Sequence, residues 1–246
     1  VNEPIVILHQ DAMCVIVSKP AGMLVHRDAK SRTFERLLLN TVRDQIGAYI
    51  HPVHRLDRNT SGIVVFALDK DTARALQTTL GDESTIKEYL ALVRGVTPER
   101  FESDRPLRNE AGEPRPSRSA FRTVHQYERC ALLAVRIFTG RHHQIRRHLN
   151  HLGHHVLGDT THGKGRDNQW YRDHAGLPRM FLHAYHLEFT RPGSGDTLII
   201  TDPLPGDLRE VLRRIDQREH VQTGGPASLT PPKPADRRET GISEEK

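Results

Sequence analysis

Cysteine is nearly absent from this chain. Among 246 residues only Cys14 and Cys130 occur, too few for a disulfide scaffold. Cys14 also sits inside the apolar run 13–17, so a reduced, cytoplasmic protein is expected. No apolar run approaches the roughly 18 residues that a membrane span needs, and no membrane association is expected. The first twenty residues hold two short apolar runs split by His9, Gln10 and Asp11, which does not fit a signal peptide. Aromatics are scarce as well, at five Tyr, seven Phe and one Trp. That count excludes a broad platform of stacked bases but leaves room for one or two bases in a pocket. Lysine is the last scarcity: of 36 cations seven are Lys and 29 are Arg, against 31 acids, for a net charge of +5. The planar guanidinium fork grips phosphate bidentately, so an arginine-heavy surface suits nucleic acid. Biased composition is the plain alternative.

The position of these charges is informative. From Asp207 to Lys246 there are eight cations and eight acids, so the whole excess belongs to residues 1–206. The end of the chain is rich in Pro, Gly, Ser and charge and has almost no large apolar residue. It cannot offset the entropy of ordering, and a disordered tail is expected over 221–246. No repeat or Gly/Ser linker divides the rest. One domain over 1–220 is expected, and a monomer, because no coiled-coil repeat is present.

Hydrophobic periodicity predicts short strands at 5–9 and 13–18, a helix over 33–47 and a strand at 63–68 whose unbroken apolar run is buried on both faces. A helix at 72–80 ends at Gly81. Strands are expected at 87–94, 119–126, 131–138, 181–189 and 197–201, and helices at 144–152 and 208–215. Strands outnumber helices and come in runs, which points to an α+β fold with a largely antiparallel mixed sheet and flanking helices.

Three clusters carry chemistry-bearing side chains. His54-Arg55-Leu56-Asp57-Arg58-Asn59-Thr60 leads into the strand at 63–68. A carboxylate there is placed for a cleft, or else Asp57 caps a turn by accepting from Asn59 or Thr60. Between Arg136 and Asn150 lie four Arg and three His with no acid. At the start of a predicted helix, free amides, a positive dipole end and guanidiniums together form an anion site; an ordinary solvated basic face is the alternative. Histidines continue at 151, 154 and 155, raising the question of zinc. The flanking arginines would repel a dication, and neither paired Cys nor a helical His-Glu-x-x-His accompanies them, so no metal is expected. Finally, Lys87-Glu88-Tyr89 opens a predicted strand. Tyr89 there could stack on a base or take a proton, or be a core residue with its hydroxyl at the rim.

In this order the clusters resemble the RluA family of pseudouridine synthases. The stretch from Asp11 through Val15-Ile16-Val17-Ser18-Lys19-Pro20-Ala21-Gly22 to His26 is similar to the family's opening motif. His54-Arg55-Leu56-Asp57 with Thr60-Ser61-Gly62, then Lys87-Glu88-Tyr89, then Thr139-Gly140-Arg141-His142-His143-Gln144-Ile145-Arg146 with Gly158-Asp159, resemble those that follow. The resemblance spans about residues 5–205. It implies the pseudouridine synthase fold with a central RNA-binding cleft, and isomerisation of uridine without metal or organic cofactor. By the same resemblance Asp57 is the catalytic aspartate, Tyr89 the active-site tyrosine and Arg146 the arginine paired with Asp57. Ile145 packs near the base and Arg55 fills the gap left by a flipped nucleotide. His54, Arg141 and Gln144 of the same motifs are expected on the substrate side. No extra N-terminal RNA-binding domain is expected, because the first motif begins by residue 11. One departure is informative: His162 stands where many members carry Tyr. The stretch Gly165-Arg166-Asp167-Asn168, with Thr41 to Gly47, resembles the branch acting on uridine 65 in the T stem of tRNA. The expected partner is therefore RNA, and tRNA in particular. A ribosomal RNA synthase, a non-catalytic RNA-binding protein on this fold and a His-rich metal hydrolase are the alternatives.

Overall fold

The computed structural model describes residues 3–27 and 36–223, the last four as backbone only. In chain order the elements are β1 (Val6–Gln10), β2 (Cys14–Lys19), α1 (Leu38–Ile46), β3 (His51–Pro52), β4 (Ser61–Ala67), α2 (Lys70–Gly81) and β5 (Ile86–Arg94). Then come β6 (Arg100–Ser103), β7 (Leu107–Arg108), β8 (Pro114–Arg115), β9 (Ser119–Gln126) and β10 (Cys130–Ile137). The last are α3 (Gln144–His151), α4 (Gly165–Ala175), β11 (Leu182–Thr190), β12 (Thr197–Thr201) and α5 (Gly206–Thr223).

One ten-stranded sheet runs β1-β2-β4-β11-β5-β10-β9-β6, with β12 on β11 and β3 on β4; β7 and β8 form a separate hairpin. Among these strands every pairing is antiparallel except β4 with β11. The fold is thus the α+β arrangement expected from the strand runs.

Both faces of the sheet are covered, which explains the unbroken apolar run of β4. Ile63, Val65 and Ala67 pack with Ala73, Leu76 and Leu80 of α2. The alternate residues Val64 and Phe66 pack with Leu38 and Val42 of α1. The other half repeats the layering. Ala131, Leu133 and Val135 of β10 meet Ile145 and Leu149 of α3, while Cys130 and Leu132 meet Tyr171 of α4 and Leu208, Val211 and Ile215 of α5. Each fully buried branched aliphatic contributes about 1.5–3 kcal/mol, so the two-sided strands are the rigid base on which the loops are mounted.

The two halves join where β4 meets β11, and that seam is tight. Gly62 has φ 116°, and a Cβ there would lie 2.3 Å from the Ala184 carbonyl oxygen, so only glycine fits. Gly158, at φ 80°, is as restricted, its Cβ falling 2.2 Å from the Arg179 carbonyl oxygen.

Several boundaries differ from the sequence expectation. Helix α2 begins at Lys70 rather than 72, because the Asp69 carboxylate caps it, accepting from the amides of Asp71 and Thr72 at 2.9 and 2.8 Å. Helix α1 spans Leu38–Ile46 and closes on Gly47 in the left-handed region. The first residues of the helix expected at 33 lie outside the described residues, as does the tail expected over 221–246 except for 221–223, which are helical as the end of α5. Helix α5 runs to Thr223 rather than ending at 215, and α4, β3, β6 and the β7–β8 hairpin were not anticipated.

Candidate active site

Asp57 sits in the loop entering β4, at the seam between the halves. The loop is pinned on both sides of it: Leu56 and Thr60 are buried, while Arg55, Arg58 and Asn59 are exposed. The Thr60 amide donates to the Asp57 backbone carbonyl at 3.1 Å, and the Gly22 amide donates to that of Arg58 at 2.8 Å. Lys19 completes the mounting. It is wholly buried, and its Nζ donates to the carbonyls of Pro20, Met23 and Arg58 at 2.9, 2.7 and 3.0 Å. Burial, with Arg179 nearby, pushes its ammonium down to about 7 even though Asp57 pulls the other way.

The Asp57 side chain is not spent on the turn. Its Oδ2 accepts from Arg146 Nη1 at 2.8 Å. The rest of the Arg146 fork is bidentate on Asp159, from Nε at 2.7 Å and Nη2 at 2.8 Å. One buried guanidinium therefore bridges two carboxylates. Asp159 is 1% exposed, whereas Asp57 keeps 22% side-chain exposure, so the inner acid anchors the arginine and the outer one faces the cleft. Arg146 reaches this point because α3 starts beside the loop, with Ile145 and Leu149 held in the core.

Across the cleft, β5 presents Tyr89, paired with Val135 of β10 and Ala184 of β11. Burial, and then the negative charge of Asp57, raise its phenol above the ordinary tyrosine range. The phenol is thus held protonated, suited to stacking or donating a hydrogen bond rather than acting as a base.

These side chains line one cleft of about 340 Å³ that contains Asp57, Tyr89, Arg146, Arg55, Ile145 and Arg141. Gln144 also borders it, but its amide is fully engaged. Oε1 accepts from the Thr139 hydroxyl and the Arg141 amide, and Nε2 donates to the Arg118 carbonyl and the Ser119 hydroxyl, all at 2.8–3.0 Å. Gln144 therefore shapes the turn that precedes α3. His54 lines an adjoining cavity of about 420 Å³ on the other side of Tyr89. Its Nε2 accepts from the Val65 amide at 3.2 Å. Burial, with Lys87 nearby, holds the imidazole neutral by lowering it to about 4.

Beyond His142 and His143, the histidines between 148 and 155 do not converge. His148 is bonded to Ser117 and Ser119, His154 to the Arg94 carbonyl, and His155 lies 3.1 Å from Asp167. Among the described residues, one group has metal-ligand spacing, His9, Asp11 and Cys14, and Arg191 already occupies the Asp11 carboxylate.

Comparison with known proteins identifies the family and the fold. A family model described as RNA pseudouridylate synthase matches residues 13–151, more than half of the chain. The chain belongs to the RNA pseudouridylate synthase family. The enzyme is 38% identical over 217 residues to tRNA pseudouridine synthase C of Yersinia pestis, covering 79% of this chain and 84% of that protein. A Vibrio cholerae protein of the same name is also 38% identical, over 216 residues, covering 79% and 88%. The structure of Human RNA Pseudouridylate Synthase Domain Containing 4 superposes with a TM-score of 0.72 at 23% identity, over 86% of this chain and 93% of that one, which establishes the fold. As a member of this family the enzyme is an isomerase acting on RNA.

Three parts of the enzyme's cleft were not anticipated as site residues. Asp159 is the first, although it is the first acid after Glu128, and a buried arginine needs a counterion. The second is the β7–β8 hairpin, whose Leu107, Arg108 and Arg115 overhang the cleft and which is tied to α3 by Arg147 Nη1 donating to the Arg108 carbonyl at 3.0 Å. The third is His143, whose Nε2 lies 3.8 Å from Asp57 Oδ2. Arg55, Arg108, Arg115 and Arg141 are all exposed around the cleft, a ring suited to phosphate. With about four such contacts, RNA affinity is expected to fall roughly 100-fold between about 50 and 200 mM salt. Filter binding across a salt series measures this, and a flat response would remove these arginines from the interface.

Proposed function

We propose that this enzyme converts uridine to pseudouridine in tRNA, at position 65 in the T stem, with Asp57 as the nucleophile. The observation that carries the chemistry is the Asp57–Arg146 contact of 2.8 Å facing the cleft beneath Tyr89. A carboxylate that a guanidinium orients and that still faces the cleft is placed to attack a bound substrate. Isomerisation must break the N-glycosidic bond, turn the base and join its C5 to C1′. The target base must first leave the stem, at about a few kcal/mol. Phosphate contacts from the exposed arginines offset that cost, and Arg55, beside Asp57, is placed to fill the vacated space. Tyr89 and Ile145 then flank the extruded base, with Tyr89 as a protonated partner.

The tRNA target rests on the relatives named tRNA pseudouridine synthase C and on the stretches 41–47 and 165–168 that resemble their branch. The test is to map pseudouridine in tRNA and ribosomal RNA from cells with and without the gene. Loss at position 65 of tRNA is the expected result. Loss in ribosomal RNA instead would move the target to another RNA, and no loss anywhere would overturn the assignment.

A further inference from the structure

His143 precedes α3 with φ 55° and ψ 29°, the one non-glycine residue at positive φ among the described residues. Such strain in an L-residue persists where surroundings over-determine it, and it clusters at functional sites. The surroundings here are specific. The His143 ring stacks on His142 with centroids 3.7 Å apart, and its Nδ1 lies 3.0 Å from His162 Nε2. Its Nε2 lies 3.8 Å from Asp57 Oδ2, the oxygen that Arg146 also holds. His162 is itself fixed, its amide donating to Asp159 Oδ1 at 3.0 Å. Asp57, Arg146, Asp159, His162 and His143 therefore form a closed ring of contacts.

The bond between the two imidazoles needs one donor, and the choice decides what faces Asp57. If His143 donated from Nδ1, the lone pair of its Nε2 would face the carboxylate, acceptor against acceptor. If His162 donates from Nε2, His143 carries its proton on Nε2 and presents N–H to Asp57. The doubly protonated form is disfavoured by burial and by Arg146, His142 and His162, which outweigh the pull of Asp57 and bring His143 down to about 4. We propose that His162 fixes the tautomer of His143 and that His143 is thereby a positioning residue for Asp57, its Nε2–H steering Oδ2 and leaving Oδ1 for the substrate. At 3.8 Å the contact is electrostatic, and it becomes a hydrogen bond on a small closure. No proton leaves His143. When the bond between Asp57 and the substrate carbon breaks, the electron pair returns to the carboxylate, and the Nε2–H and Arg146 stabilise the restored charge. The inference rests on Asp57 being the nucleophile of pseudouridine formation.

Three variants test it. In His162→Phe the ring stays and the donor is lost; in His162→Tyr a hydroxyl donor returns. In His143→Gly the imidazole is removed from a position whose backbone conformation glycine prefers, so folding is not penalised by strain. His143→Gly and His162→Phe are expected to lower kcat about 10- to 100-fold with KM for tRNA changed less than about twofold. His162→Tyr recovers most of that loss, and His143→Gly keeps the wild-type Tm. Wild-type kcat in both His143→Gly and His162→Phe would overturn the inference. So would a His162→Tyr variant as slow as His162→Phe at equal Tm. Absence of pseudouridine formation by the wild-type enzyme would instead overturn the functional reading on which it rests.

Discussion

Asp57→Asn is expected to abolish pseudouridine formation, by about 10⁴-fold or more in kcat, while RNA affinity stays within about twofold of wild type. The substitution keeps the shape of the side chain and removes its charge. The amide oxygen can still accept from Arg146 Nη1, and Arg146 remains neutralised by the bidentate Asp159. The loop is anchored by buried Leu56 and Thr60 and by the Lys19 contact with the Arg58 carbonyl, none of which uses the Asp57 carboxylate. The exposed arginines around the cleft are also untouched. An amide, however, is not a nucleophile toward sugar or base under these conditions. Nucleoside mass spectrometry on tRNA incubated with the variant gives the activity, and filter binding gives the affinity. Turnover at the wild-type rate would remove Asp57 from the chemistry. Loss of binding in parallel with activity would show that the carboxylate organises the RNA surface rather than reacting.

The sequence made some parts of this molecule easy to read, for physical reasons. Strand β4 is legible because both faces are buried, leaving an uninterrupted apolar run, and the strand runs on either side of it set the fold class. Helix α4 was not legible. Its buried face is Asn168, Tyr171 and Ala175, and hydrophobic periodicity cannot register a buried asparagine. Asn168 is buried for a polar reason: Oδ1 accepts from the Gly158 amide and Nδ2 donates to the Asp159 carbonyl, both at 2.8 Å. It holds the turn that carries the counterion of Arg146. The β7–β8 hairpin escaped notice because two-residue strands in a proline-rich stretch show no alternation. At the site, no spacing rule brings Asp57 together with Arg146, 89 residues later; the ordered motifs did. The histidine-rich run was partly the reverse case: His148, His154 and His155 go to separate partners, while His142 and His143 stack and His162 joins them from a later turn.

Under the proposed mechanism Arg146 serves fold and chemistry at once, and its replacement is expected to damage both. Arg146→Lys supplies a single point charge to two carboxylates arranged for a planar fork. It cannot reproduce three bonds of 2.7–2.8 Å, and activity is expected to fall about 100-fold or more, the scale of losing one preorganised donor. Arg146→Met goes further by leaving Asp159 buried without a cation, which costs about 3–5 kcal/mol of stability at neutral pH. The pH dependence separates this from simple loss of packing. In the wild-type enzyme, burial pushes the Asp159 carboxyl up, but the Arg146 bonds and the amides of His162 and Thr161 outweigh it and hold it below the usual range. Its contribution is therefore complete above the ordinary carboxylate range and is lost as pH falls through the lowered value. In Arg146→Met the burial is unopposed by a cation, the folded value rises, and the carboxyl favours its neutral form. The variant then loses stability as pH rises through the carboxylate range, so the gap to wild type widens between about pH 4 and 7. Urea denaturation at both pH values measures that gap. If it were the same at both, Asp159 would not be the group that Arg146 keeps charged, and the coupling of this buried acid to Asp57 would have to be abandoned.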